Sequence, residues 1–85
     1  MKYYIEIAEK IEKKFTKIPE KDKERIIEVI DSLSENPRPE GCKKLRGNLR
    51  PSLYRIRAGD YRIIYTIQEE VLLILIVEIG HRKDV

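Results

Sequence analysis

Residues 53–65 read LYRIRAGDYRIIY, two runs of alternating polar and apolar side chains on either side of Gly59. A period of two, built from aromatic and β-branched residues, fits a half-buried strand. Glycine is a natural turn residue. The spacing therefore predicts a β-hairpin, and the pattern favours an even-numbered loop, because an odd one would mix the two faces. With a two-residue loop, Arg55 falls opposite Arg62 and Arg57 opposite Asp60; a four-residue loop keeps the same partition. Arg55, Arg57 and Arg62 then share one face of a small sheet. Tyr54, Ile56, Tyr61 and Ile63 share the other.

Such crowding of like charges works against folding. Two unit charges ~6 Å apart repel by roughly 0.7 kcal/mol in water and by roughly 3 kcal/mol at an effective dielectric of about 20. A bound polyanion would offset the repulsion, and the arginine fork matches phosphate oxygens with two parallel hydrogen bonds. The plainer alternative is a solvated sheet face whose arginines pair with nearby acids.

A chain of 85 residues is expected to form one domain, over residues 1–85. A domain of that size has no room for a deep cofactor cavity beside its core, so no cofactor is expected. The formal net charge is only +3, so the case for a polyanion rests on clustering and not on the total. Cys42 is the only cysteine, which excludes an internal disulfide and makes a reducing, cytoplasmic setting the expectation. His81 is the only histidine, and one Cys with one His makes no metal-site pattern. Lys2 is followed by mixed polar sequence, unlike a signal peptide, and the apolar run Val71–Val77 is far short of a membrane span.

Along the chain, residues 2–7 (KYYIEI) read as a short first strand. Ile7, Ile11, Phe15 and Ile18 recur at helical spacing, and Pro19 breaks that helix. Ile26, Val29, Ile30 and Leu33 form the stripe of a second helix over residues 20–35, which Asn36-Pro37-Arg38-Pro39 ends. So short a connection implies a helical hairpin. Lys43 to Arg46 begin an edge strand, with Gly47-Asn48 as an irregular point before the main hairpin. Residues 72–79 (LLILIVEI) are apolar on both faces except for Glu78, as in an interior strand that Gly80 would end. The expected fold is α+β, in the order β-α-α-β-β-β, with the helical hairpin packed on one face of a small twisted antiparallel sheet. The helices would cover the tyrosine and isoleucine face and leave the arginine face open and concave.

Four segments, Lys44-Leu45-Arg46-Gly47, Leu53-Tyr54-Arg55-Ile56-Arg57, Gly59-Asp60-Tyr61-Arg62-Ile63-Ile64-Tyr65 and Ile79-Gly80-His81-Arg82, closely resemble the RelE/ParE toxin superfamily, on its RelE-like side. The likeness spans almost the whole chain. It implies the toxin of a type II toxin–antitoxin pair, a metal-independent endoribonuclease that enters the ribosomal A site and cleaves mRNA by attack of a 2′-hydroxyl on the adjacent phosphate. It implies a RelB-like antitoxin as partner, with a heterotetramer as one expected assembly, the ribosome and mRNA as further partners, and no membrane. Two alternatives come with the same fold: a ParE-type toxin that inhibits gyrase, and a non-catalytic, degenerate toxin that only binds an antitoxin.

The family roles transfer residue by residue. Arg55 and Arg57 stand where RelE-like toxins carry basic residues that bind RNA phosphates and help to activate the 2′-hydroxyl or stabilise the transition state. Arg62 matches the arginine that stabilises charge on the scissile phosphate, and Arg82 the basic residue just past the last strand. His81 stands where many relatives carry histidine, a side chain suited to proton transfer near neutral pH. In much of the family a tyrosine follows this tail, at the position after Val85.

Other residues carry two readings each. Lys43, Lys44, Arg46 and Arg50 could grip RNA backbone or form an ordinary solvated edge that discourages strand pairing. Tyr54, Tyr61 and Tyr65 could stack on bases, but their parity places them with the core. With a three-residue loop between the last two strands, Glu78 would lie beside Arg62, where a salt bridge is the simpler role. Cys42 as a nucleophile is disfavoured by its Pro/Gly-rich surroundings.

Overall fold

The computed structural model describes residues 2–45 and 52–82. The elements are β1 (Tyr4–Ile7), α1 (Glu9–Phe15), α2 (Glu20–Glu35), β2 (Lys43–Lys44), β3 (Leu53–Ala58), β4 (Tyr61–Gln68) and β5 (Leu73–His81). The expected order β-α-α-β-β-β is present with one strand more, because the edge segment Lys43–Lys44 pairs with β3 and counts as a strand of its own. Gly47-Asn48, Arg46, Arg50 and the tail 83–85 lie outside the described residues.

Helix α1 is too short to persist alone. Glu9 and Glu12 in its first turn and Lys13 and Lys14 in its last both oppose the helix dipole favourably. Ile11 is buried, and Phe15 packs against the core. Pro19 sits at the N-cap of α2, one residue before the helix, with φ −56° and ψ 145°. Ile26, Ile30 and Leu33 form the buried stripe of α2, and full burial of such side chains contributes about 1.5–3 kcal/mol each. Asn36 leaves the helix in an extended conformation before Pro37. Among the described residues, no helix is long and apolar enough to cross a membrane.

The sheet has the order β1-β5-β4-β3-β2. The antiparallel expectation holds for β2 to β5, but β1 pairs parallel to β5. The first strand thus flanks the last one and makes β5 an interior strand, which accounts for its apolar run. Helix α1 packs over β5, and α2 over β1 and β3. The core between the helices and the sheet holds Ile56, Ala58, Ile63, Tyr65, Ile67, Ile74, Ile76 and Ile79.

The β3–β4 hairpin turns on Gly59-Asp60 and not on Ala58-Gly59. Its register pairs Ala58 with Tyr61, Arg57 with Arg62 and Arg55 with Ile64. Gly59 has φ 63°, and Asp60 is not in the positive-φ region, as a type II′ hairpin turn requires. Burial of Ala58 against the core fixes this choice. The even loop preserves the partition of faces, while every arginine pairing moves by two residues.

The last two strands join through Glu69–Val71 in a 3₁₀ turn and Leu72 in the left-handed region, four residues in all between Gln68 and its partner Leu73. A register shift then falls between Ile64 and Tyr65: Tyr65 pairs with Ile76, but Ile64 pairs with Glu78. Val77 is the extra residue of this bulge. It changes the phase of β5, so Ile74, Ile76 and Ile79 all reach the core. Glu78 consequently faces the arginine side, as expected, by a four-residue loop plus a bulge in place of three residues. Gly80 does not end β5. It pairs with Arg62, and His81 pairs with Tyr61, because β4 offers ladder partners back to its first residue.

Candidate nucleic-acid interface

The register places the basic residues of the sheet face away from the core in two rows. The upper row runs Arg57, Arg62 and Gly80 across β3, β4 and β5. The lower row runs Lys43, Arg55, Ile64 and Glu78 across β2 to β5. Neighbouring strands lie about 4.8 Å apart, so Arg57 and Arg62 are immediate neighbours. A third row runs Leu53, Thr66, Leu75 and Glu6 across β3, β4, β5 and β1, with its one charge at the far edge. The Thr66 hydroxyl there is buried and has no partner among the described residues.

Salt bridges among the described residues join Lys2 to Glu35, Lys14 to Glu78, Lys23 to Glu20, Arg38 to Glu69 and Arg82 to Asp60. None involves Arg55, Arg57, Arg62 or Lys43. Four cations therefore share this face with no salt bridge to a carboxylate of the described residues. Like charges directly opposite each other destabilise a ladder, so the arrangement does nothing for the fold that neutral side chains would not do better.

Arg82 lies one residue beyond β5 and is tied to the hairpin turn. Its backbone N–H donates to the Asp60 carbonyl oxygen at 2.8 Å, and its Nε lies 3.7 Å from Asp60 Oδ1. The first contact fixes the chain position; the second, between side chains 61% and 60% exposed, is weak in water. Arg82 is thus held at the hairpin turn that also joins Arg57 to Arg62. Glu78 makes no ion pair with Arg62. Its Oε1 accepts from Lys14 Nζ at 3.3 Å and from the Ile79 N–H at 3.1 Å, which occupies the carboxylate at the α1 side of the face.

The remaining sequence candidates separate. Lys43, opposite Arg55, is on the arginine face; Lys44, opposite Tyr54, is on the other. His81 stands opposite Tyr61, and the two rings meet edge to face with centroids 5.1 Å apart and planes at 88°. Tyr61 packs against the core, so the register places His81 on the helix side of the sheet and not among the arginines. Tyr65 is buried, and its hydroxyl donates to the Pro37 carbonyl at 2.8 Å. Burial, and then the neighbouring Cys42, push its ionisation to higher pH. Tyr54 stacks on Tyr65 with centroids 5.8 Å apart. The tyrosines pack as their parity predicts.

Three relationships were not legible in the sequence. Arg38 covers the Tyr54 ring at 5.3 Å, donates to its hydroxyl at 3.3 Å and pairs with Glu69. The Tyr54 hydroxyl first, and Glu69 second, hold Arg38 still more firmly in its charged form. Asp60 anchors Arg82. Gly80 faces Arg62. The last two depend on the hairpin register and the β5 bulge, and the phase of Ile79 is the one sequence signal that would have located them.

The class these features define is a helical pair on a five-stranded sheet whose opposite face carries three arginines, Arg57 exposed and Arg55 and Arg62 partly exposed. The family model for the ParE toxin of the type II toxin–antitoxin system, parDE, matches residues 2–85, and the chain belongs to that family, as a RelE-like member of the wider RelE/ParE superfamily. It is 28% identical to the mRNA interferase toxin RelE of Escherichia coli strain K12, over 98% of this chain and 86% of that protein. Among solved structures, the archaeal RelE–RelB complex from Pyrococcus horikoshii OT3 aligns over 100% of both chains, with a TM-score of 0.86 and 31% identity. The toxin–antitoxin complex RelBE2 from Mycobacterium tuberculosis aligns over 96% of this chain and 100% of that one, with a TM-score of 0.82 and 25% identity.

Proposed function

We propose that this toxin is a ribosome-dependent endoribonuclease that cuts mRNA in the A site, and that a RelB-like antitoxin holds it inactive. One observation carries the reading: Arg57 and Arg62 are directly opposed on an open sheet face, with Arg55 and Lys43 beside them, and no salt bridge joins any of the four to a carboxylate of the described residues. The relative from E. coli, named an mRNA interferase toxin, supports the choice of substrate. The RelE–RelB complexes among the similar structures support the choice of partner.

In this reading the RNA supplies its own nucleophile. A 2′-hydroxyl gives up its proton to water and attacks the adjacent phosphorus; the bond from phosphorus to the 2′-oxygen forms, the bond to the 5′-oxygen breaks, and the departing 5′-oxygen takes a proton from water, which leaves a 2′,3′-cyclic phosphate and a 5′-hydroxyl. Lys43, Arg55 and Arg57 hold flanking phosphates and keep the strand in line. Arg62 stabilises the charge that builds on the non-bridging oxygens, a service worth about 10²–10³ in rate for one well-placed donor. Arg82, held at the turn by Asp60, places positive charge beside the departing 5′-oxygen. His81 packs edge-on against Tyr61 and steadies the end of β5.

The test is induction of the chain in a translating cell, followed by primer extension on its mRNAs. Cuts at codon positions, lost with Arg62→Ala while the melting temperature does not fall, are the expected result. Inhibition of DNA supercoiling without cuts would identify a gyrase-directed toxin instead. Growth unaffected by the protein, together with capture of its antitoxin, would identify a non-catalytic binding module.

A further inference from the structure

Gly80 is a glycine that the fold does not demand. It is not among the residues with positive φ, so its backbone conformation is open to any residue. It lies within β5, where a glycine weakens a strand relative to a residue with a side chain. It is buried, yet a Cβ built on it would meet no described atom within 4 Å. Gly59 makes the contrast plain: there φ is 63°, and a Cβ would come within 2.9 Å of Arg25. Turn geometry accounts for Gly59, whereas neither conformation nor packing among the described residues accounts for Gly80.

The position of the gap supplies a reason. Gly80 pairs directly with Arg62, so the missing side chain would rise from the arginine face next to the Arg62 stem. Glu78 and Arg82 lie two residues to either side along the chain, and Asp60 holds Arg82 in place. The Glu78 carboxylate is engaged by Lys14 and the Ile79 N–H. Among the described residues the result is open room at the Cβ position of Gly80, beside an arginine that has no ion pair to any of them. Arginine–phosphate hydrogen bonds close at roughly 2.7–2.9 Å. A phosphate held that tightly by Arg62 needs the neighbouring ladder position clear.

We propose that Gly80 is the floor of the RNA site: the gap above it, beside Arg62 and Arg82, lets a phosphate of the RNA strand descend to the sheet. The inference rests on the endoribonuclease reading and adds to it a determinant of shape. The arginines supply charge, and Gly80 supplies the depth at which that charge can be used.

Gly80→Ala and Gly80→Val test the proposal beside wild type and Arg62→Ala. Each protein is assayed for thermal melting, for cleavage of mRNA in the A site of programmed ribosomes, and for binding of a fluorescein-labelled, 2′-O-methylated RNA oligonucleotide. The Val variant is expected to melt at or above the wild-type temperature, because a β-branched residue suits a strand with open space above it. Its cleavage should fall at least 100-fold and its oligonucleotide binding at least tenfold, with smaller losses for the Ala variant. A folded Val variant within twofold of wild type in both assays overturns the proposal and leaves the endoribonuclease reading intact. If the Val variant melts more than ten degrees lower, the Ala variant decides, with a threefold loss in cleavage or binding as the expected result and none as the contrary one. If wild type binds the oligonucleotide without cutting mRNA, and the Val variant loses that binding, the floor stands and the nuclease reading falls. Wild type that neither cuts nor binds overturns both. A Val variant that cleaves normally but no longer captures an acidic antitoxin segment assigns the gap to a protein partner and also overturns the proposal.

Discussion

Arg57 and Arg62 face each other directly across the β3–β4 ladder, and no salt bridge joins either to a carboxylate among the described residues. Opposed like charges cost a ladder a few tenths to about 1 kcal/mol. Arg57→Gln should therefore raise stability by about 0.5 kcal/mol in urea titrations at low salt, and the gain should shrink as salt screens the wild-type repulsion. The same variant should lose at least tenfold in mRNA cleavage. A variant that is less stable and fully active would contradict the assignment of Arg57 to substrate.

RNA binding should report how many of these cations meet phosphates. Three or four contacts to a single strand predict a slope of log affinity against log salt of about −2 to −3, and loss of one contact should reduce it by about 0.7. Anisotropy titrations of wild type and Arg55→Ala between low and moderate salt measure this. An unchanged slope would remove Arg55 from the interface.

The turn can be tested apart from the site. Gly59→Ala forces a side chain into the left-handed region at φ 63° and against Arg25, at a cost of about 1–2 kcal/mol from the conformation alone. Arg25→Ala removes the contact but not the backbone strain. The double variant should thus recover only a minor part of the loss in thermal melting, and full recovery would show that crowding and not φ sets the requirement.

Tyr65 links the core to alkaline pH. Its burial and the Cys42 contact raise its ionisation in the folded state above the ordinary tyrosine value of about 10. The folded protein then holds this proton more tightly than the unfolded chain does, so stability should be full below about pH 10 and fall as pH rises beyond it. Tyr65→Phe loses the hydrogen bond to Pro37, about 1 kcal/mol at neutral pH. It should also unfold with a flatter dependence on alkaline pH. Equal alkaline slopes in wild type and variant would refute the link.

Deletion of Val77 examines the bulge. Without the extra residue, either Ile79 or the pair Ile74 and Ile76 must turn away from the core, and the neighbouring charged positions change face with them. Loss of a cooperative melting transition is expected, whereas Val77→Ala should remain folded. A deletion variant that melts cooperatively near wild type would show that β5 can tolerate the other phase.

Which parts of this design could be read from residues alone follows from the range of the interactions. The partition of the hairpin was legible because period two is local: Arg55, Arg57 and Arg62 share a face for any even loop. The helices were legible from their stripes and from Pro19 and Pro37. The direction of β1 was not, since nothing in residues 4–7 specifies a partner at residues 73–76. The bulge was hidden because residues 72–77 are uniformly apolar, and a change of phase leaves no trace in a run without polar residues. The side occupied by His81 follows from that bulge, so it was hidden too. Exposed arginines announce themselves in a sequence, but the gap over Gly80 becomes visible only when its ladder partner is known.

The parallel pairing of β1 with β5 sets an order of events during synthesis. A chain made from its amino end must carry its opening strand unmatched until the closing strand has left the ribosome, because Tyr4 to Ile7 find their partners only at Leu73 to Ile76. The pairing that makes β5 an interior strand is therefore among the last contacts of the sheet to form.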